Sequence, residues 1–94
     1  MITHVVGFKL KPMSEAQEKA LLDAFNGLVG VIPELESFHM GRNVSDRDQT
    51  YTHALVGRMA DMEAVGRYLK HPAHVTVVNE HLEPVMIERH ILDF

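Results

Sequence analysis

Residues 3–10 form a short, largely apolar run, and a period of two puts His4, Val6, Phe8 and Leu10 on one side and Val5 and Gly7 on the other. Such a run predicts a strand, and apolar residues on both sides predict that both faces are covered. Lys11, Pro12 and Met13 interrupt the pattern. Ser14 followed by Gln17 has capping-box spacing, in which each side chain satisfies a backbone amide left free at a helix start. The helix beyond it spaces Leu21, Ala24, Phe25, Leu28, Val29 and Ile32 at intervals of three and four, and is expected to run until Pro33 stops it. Residues 34–44 alternate weakly and read as an edge strand, 45–50 as a solvated loop, and 51–59 as a strong strand with His53, Leu55 and Gly57 on one side. Asp61 is a natural N-cap for a short helix with Met62, Val65 and Leu69 as its stripe. Pro72 breaks that helix, and a helical stretch of 73–81 follows with Val75, Val78 and Leu82 as its core face. Glu83-Pro84 ends it, and 85–94 alternate as a last strand.

Strand, helix, strand, strand, helix, strand makes two similar halves and predicts an α+β split βαβ arrangement, a βαββαβ monomer with a four-stranded antiparallel sheet. In this reading the first and third strands are central and parallel to each other, which makes His4 and His53 neighbours at one end of the sheet. With helices on one sheet face, the other face, with Val5 and Ala54 among its members, is too apolar to be left in water. Pairing two such faces in a homodimer is the expected remedy.

The chain has 94 residues, 46% of them hydrophobic, which suits a single domain over 1–94 with little core to spare. Its formal charge is -4 with the basic residues scattered, so nucleic acid and anionic membranes are not expected partners. The absence of cysteine excludes a disulfide scaffold, thiol catalysis and a Cys-based zinc site, and suits a reducing interior. No stretch approaches the ~20 apolar residues of a membrane span, and a cytoplasmic location is expected.

Titratable side chains concentrate at 68–81, where Tyr68, His71, His74 and His81 fall together. An imidazole with a pKa near ~6.5 can act as base and then acid at neutral pH, and a phenol can donate to a developing oxyanion. In an unbroken helix, residues 68 and 74 point in different directions, so the break at Pro72 is what would let Tyr68 and His74 converge. Both are equally the kind of residue that sits partly buried and hydrogen-bonded to backbone. His71, just before Pro72, is suited to cap the next helix. The spacing of His71, His74 and His81 invites a zinc reading, but His71 stands at a helix boundary and no carboxylate completes a shell, so no metal is expected. His4 and His53 read either as a satisfied polar pair or as groups that bind a substrate carbonyl.

Together with Thr3-His4, Ile32-Pro33, 41–44, Tyr51-Thr52-His53 and Ile91-Leu92-Asp93-Phe94, the run His71-Pro72-Ala73-His74-Val75 resembles the stress-responsive dimeric α/β-barrel family over essentially the whole chain. The resemblance implies a ferredoxin-like monomer and a homodimer whose sheets close into a barrel. One member of the family closes a linear polyketide thioester by an intramolecular aldol step without metal or organic cofactor. Its catalytic tyrosine and histidine fall on Tyr68 and His74, and its two strand histidines on His4 and His53. Gly66, Arg67, Lys70 and 76–81, neighbours that would shape the cavity, depart from that member. The resemblance thus implies catalytic roles for His74 and Tyr68, substrate contacts for His4 and His53, no cofactor, and cyclase- or lyase-type chemistry on a small, largely apolar carbonyl compound; His71, beside this pair in sequence, is a further candidate substrate contact. The alternative is a non-catalytic dimeric stress protein that binds a small molecule or a partner.

Overall fold

The computed structural model describes residues 1–94. Its elements are β1 (Ile2–Leu10), α1 (Glu15–Asn26), β2 (Ser37–Arg42), β3 (His53–Met59), α2 (Met62–Lys70), α3 (Pro72–Val77) and β4 (Met86–Asp93), with a single π-helical turn at Val78–Leu82 prolonging α3. The strands lie in the order β2-β3-β1-β4, and every neighbouring pair is antiparallel. Helices cover one face, where Val6, Phe8, Leu55 and Met59 from the central strands meet Leu21, Phe25 and Tyr68. This is the ferredoxin-like α+β fold.

The central strands β1 and β3 are antiparallel, where the sequence reading made them parallel. The strand-helix-strand unit returns β2 parallel to β1 but one place removed, and β3, turning back from β2, fills the gap antiparallel to both. His4 therefore stands opposite Gly57 and His53 opposite Phe8. Four residues of strand separate the two histidines, roughly 13 Å. They are not neighbours, although both point to the helix-covered face and both are buried.

Helix α1 begins as its pattern predicts, with Ser14 Oγ accepting from the Gln17 amide at 3.1 Å and Gln17 Oε1 accepting from the Ser14 amide at 3.0 Å. It ends at Asn26 instead of continuing to Pro33. The Asn26 side chain donates to the Met40 carbonyl at 3.0 Å and accepts from the Met40 amide at 2.8 Å, tying the helix end to β2. Leu28 and Ile32 are buried from the turns that follow, Gly30 takes a left-handed φ of 88°, and Val29 is exposed. Helix α2 is capped by Asp61, which accepts from the Ala64 amide at 2.8 Å. Its buried side is Ala64, Val65 and Tyr68, while Met62 and Leu69 of the expected stripe are largely exposed.

Helix α3 starts at Pro72, as the lack of an amide proton there allows. Of the expected face, Val75 is exposed while Val78 packs on the core and Leu82 is buried, and Ala73 and Val77 pack there in place of Val75. At Val78–Leu82 the Glu83 amide bonds the Val78 carbonyl at 2.9 Å, one residue further than an α-helix allows, and this wider turn delivers Leu82 into the core. On the opposite sheet face Val5 is half-buried and Val56 and Leu92 are exposed, as the alternation predicts.

Candidate active site

Between the sheet and the α2–α3 break lies a cavity of about 80 Å³ whose polar lining includes His4, Tyr68 and His74 and whose apolar walls include Phe8, Leu55 and Ile91. Helix α2 drives the Tyr68 ring inward until 1% of the residue is exposed. His74 then meets that ring with centroids 4.5 Å apart and planes tilted by 55°, and His4 meets it edge-on at 5.9 Å. The Tyr68 hydroxyl has no hydrogen-bond partner in the chain, yet no fully enclosed side-chain polar atom is left unpartnered, so this hydroxyl reaches open space. Burial raises its pKa far above the ordinary phenol value, which keeps it a proton donor in a hydrogen bond.

His74 Nδ1 lies 3.1 Å from the Leu69 carbonyl oxygen, an atom that can only accept. The proton is therefore on Nδ1, and Nε2 of the neutral ring carries the lone pair. Burial is the main reason that its pKa lies below the ordinary histidine value; the Leu69 bond opposes the shift, and His4, Arg89 and His71 add to it. On β1, His4 Nδ1 is 2.5 Å from Asp93 Oδ1 of β4, a charge-assisted bond that fixes the ring and leaves Nε2 for another partner. A neutral base, a protonated phenol and an oriented second imidazole thus border one mostly apolar space. That combination can remove a proton beside a carbonyl and stabilise the oxyanion that results.

His53 is not part of this cavity. Its Nε2 lies 2.8 Å from Glu18 Oε2 and its Nδ1 2.8 Å from Thr52 Oγ1. Glu18 also accepts from Arg42 Nε at 3.0 Å and Arg42 Nη2 at 2.5 Å. The Arg42 bonds lead in lowering the pKa of Glu18, against the effect of burial, with the His53 bond adding to them. His71 is the N-cap of α3, its Nδ1 accepting from the Ala73 amide at 3.1 Å. It does not line the cavity, and no three His, Asp or Glu side chains converge to hold a metal ion. Of the five expected site residues, His4, Tyr68 and His74 come together and His53 and His71 stand apart.

Asp93 and Arg89 belong to the site and escape a reading built on histidine and tyrosine. Both sit with Ile91 on the β4 side that the register places beside His4, Val6 and Phe8. A carboxylate and a guanidinium alternating with an apolar residue on the inward side of a strand was the available signal.

The ferredoxin-like fold is shared with many solved structures. Residues 2–94 match the Stress responsive A/B Barrel Domain family, Dabb, and the chain belongs to it. It is 39% identical over 77 residues to an uncharacterised protein of Streptomyces coelicolor, with 79% of each chain covered. Olivetolic acid cyclase of Cannabis sativa is 29% identical over 77 residues, 79% of this chain and 76% of the cyclase. A crystal structure of an Arabidopsis thaliana protein superimposes with a TM-score of 0.86 at 29% identity, covering 100% of this chain and 93% of that one. Further solved structures with this fold are described as dimeric.

Proposed function

We propose that this protein is a cofactor-independent enzyme that performs acid-base chemistry on a small carbonyl compound. His74 Nε2 takes a proton from the carbon beside the carbonyl, and the Tyr68 hydroxyl donates a hydrogen bond to the oxygen that gains negative charge. Return of that proton from His74 to the enolate carbon, or attack of the enolate on a second carbonyl with the proton passed from His74 to the new alkoxide, completes the turnover. His4, held by Asp93, forms the polar wall. The observation that carries this reading is a buried Tyr68 with an unpartnered hydroxyl against a His74 whose Nδ1 is committed to backbone. Similarity to olivetolic acid cyclase supports enolate chemistry. The cavity of about 80 Å³ favours a much smaller reacting group than a polyketide, since ligand pockets typically run from ~300 Å³ upward.

The test is exchange of α-protons of small ketones and oxo acids in D2O, followed by NMR. Wild-type protein is expected to accelerate exchange of at least one compound, and His74→Ala and Tyr68→Phe to reduce it by ~100-fold or more. No exchange across the panel, or exchange that survives His74→Ala, overturns the reading.

The commitment of His53 and His71 to structural hydrogen bonds favours a second reading, a homodimeric stress protein that binds a small molecule without converting it. In either reading two copies associate through the open sheet face around Val5, Val56 and Leu92, an arrangement supported by the dimeric structures of the same fold. Sedimentation is expected to show a dimer that Val56→Asp dissociates, and a wild-type monomer would overturn the association.

A further inference from the structure

Arg89 is the only permanently charged side chain that lines the Tyr68–His74 cavity. Its register partner is Phe8, so it points to the helix-covered side of the edge strand β4, in line with Ile91 and Asp93. The carboxylate on that side is already taken, because Asp93 is bonded to His4. Arg42 is paired with Glu18, Arg67 with Glu34 and Lys19 with Asp23; Arg89, like Lys9, Lys11, Arg47, Arg58 and Lys70, takes part in no ion pair, and of these free cations it alone lines the cavity. Its field reaches His74, where it helps to disfavour the imidazolium.

A guanidinium at the mouth of an apolar cavity gains nothing from a wholly apolar ligand, which would strip its water without replacing the lost bonds. A carboxylate reverses that balance, because its two oxygens match the planar fork of donors and bring the opposite charge. Size points the same way. About 80 Å³ of partly open space receives a carbonyl and its nearest carbons, while the residue that would hold an anion is exposed at the edge. We propose that the ligand of this site is a small oxo acid, its carboxylate seated on Arg89 at the mouth and its carbonyl directed inward to Tyr68 and His74. The assignment rests on the enzymatic reading above and narrows its substrate from carbonyl compounds in general to anionic ones. Arg89 is then the specificity-determining residue, and the proton-transfer pair lies deeper.

Pyruvate and methyl pyruvate separate the charge from the carbonyl. Each is titrated into the full-length protein while the ring resonances of His74 and Tyr68 are followed by NMR, with Arg89→Leu and Arg89→Lys as variants. Wild type is expected to bind pyruvate about 10-fold more tightly than the ester, as a charge-assisted bond of this kind implies. In Arg89→Leu the two compounds are expected to converge to within about 2-fold, and Arg89→Lys to keep a reduced preference because the charge remains without the fork. Equal affinities in wild type, or a carboxylate preference that survives Arg89→Leu, overturn the assignment to Arg89. If the ester binds at Tyr68 and His74 with no preference for the acid, the inference fails and the carbonyl site stands. If neither compound shifts those resonances, both fall.

Discussion

Tyr68 and His74 are six residues apart in the chain, yet their rings meet with centroids 4.5 Å apart. In a continuous helix, at ~100° per residue, they would differ in direction by about 240°. His71, extended at ψ 134°, resets the chain, and Pro72 starts a new helix that carries His74 back over Tyr68. The meeting of these two rings depends on a break in secondary structure as much as on the two side chains.

Tyr68→Phe should separate function from stability. The hydroxyl makes no bond within the chain, so its loss is expected to change unfolding free energy by less than ~1 kcal/mol in denaturant titration. The same variant should lose ligand affinity and α-proton exchange. A large destabilisation would mean that the hydroxyl has a structural partner after all.

Burial lowers the pKa of His74, and the sign of its effect on stability follows. The unfolded chain, with a value near 6.5, takes up a proton before the folded protein does as pH falls. This residue therefore contributes its full share of stability above the unfolded value, and that share is lost as pH drops through the folded one. NMR titration should place His74 below 6.5, and the acid limb of any exchange activity should follow the same midpoint. Replacing His74 by Gln should flatten this part of the stability profile.

His53 should behave as a structural residue. It bonds Glu18 and Thr52 on the far end of the sheet from His4, and His53→Ala leaves a void and removes a partner from Glu18. A loss of ~2–4 kcal/mol is expected in chemical denaturation. Chemistry at Tyr68 and His74, measured well below the melting temperature, should stay within about 2-fold of wild type. A selective loss of that chemistry in a stably folded His53 variant would return it to the site.

For His71 the cap is the expected contribution. His71→Ala should cost ~1 kcal/mol and loosen the first turn of α3, seen as faster amide exchange at Ala73, whereas His71→Asn should restore both. A direct ligand contact would instead leave His71→Asn as impaired as His71→Ala in binding.

The order of elements was legible because each has its own period and its own stop signal, down to the reciprocal Ser14–Gln17 cap. Strand direction was not, since the alternation of β1 and β3 is the same whichever way each runs, and that one ambiguity displaced His53 to the wrong end of the sheet. The end of α1 was hidden for a related reason. Leu28 and Ile32 keep helical spacing, but what stops the helix is a long-range bond from Asn26 to β2. The Tyr68–His74 pair was legible from the family resemblance, and the proline between them explained how the two rings could converge. Asp93 and Arg89 became meaningful only when pairing of β4 with β1 brought them beside His4 and Phe8.

The wider turn at Val78–Leu82 also bears on how this chain is aligned with others. One extra residue in that turn puts the inward positions before it out of phase with Leu82 after it. Residue-by-residue correspondence carried from His74 through the turn would assign Leu82 the wrong counterpart wherever a relative has an ordinary helix. Pocket-lining positions on its two sides are best matched as separate blocks, anchored by Pro72 on one side and by the register of β4 on the other.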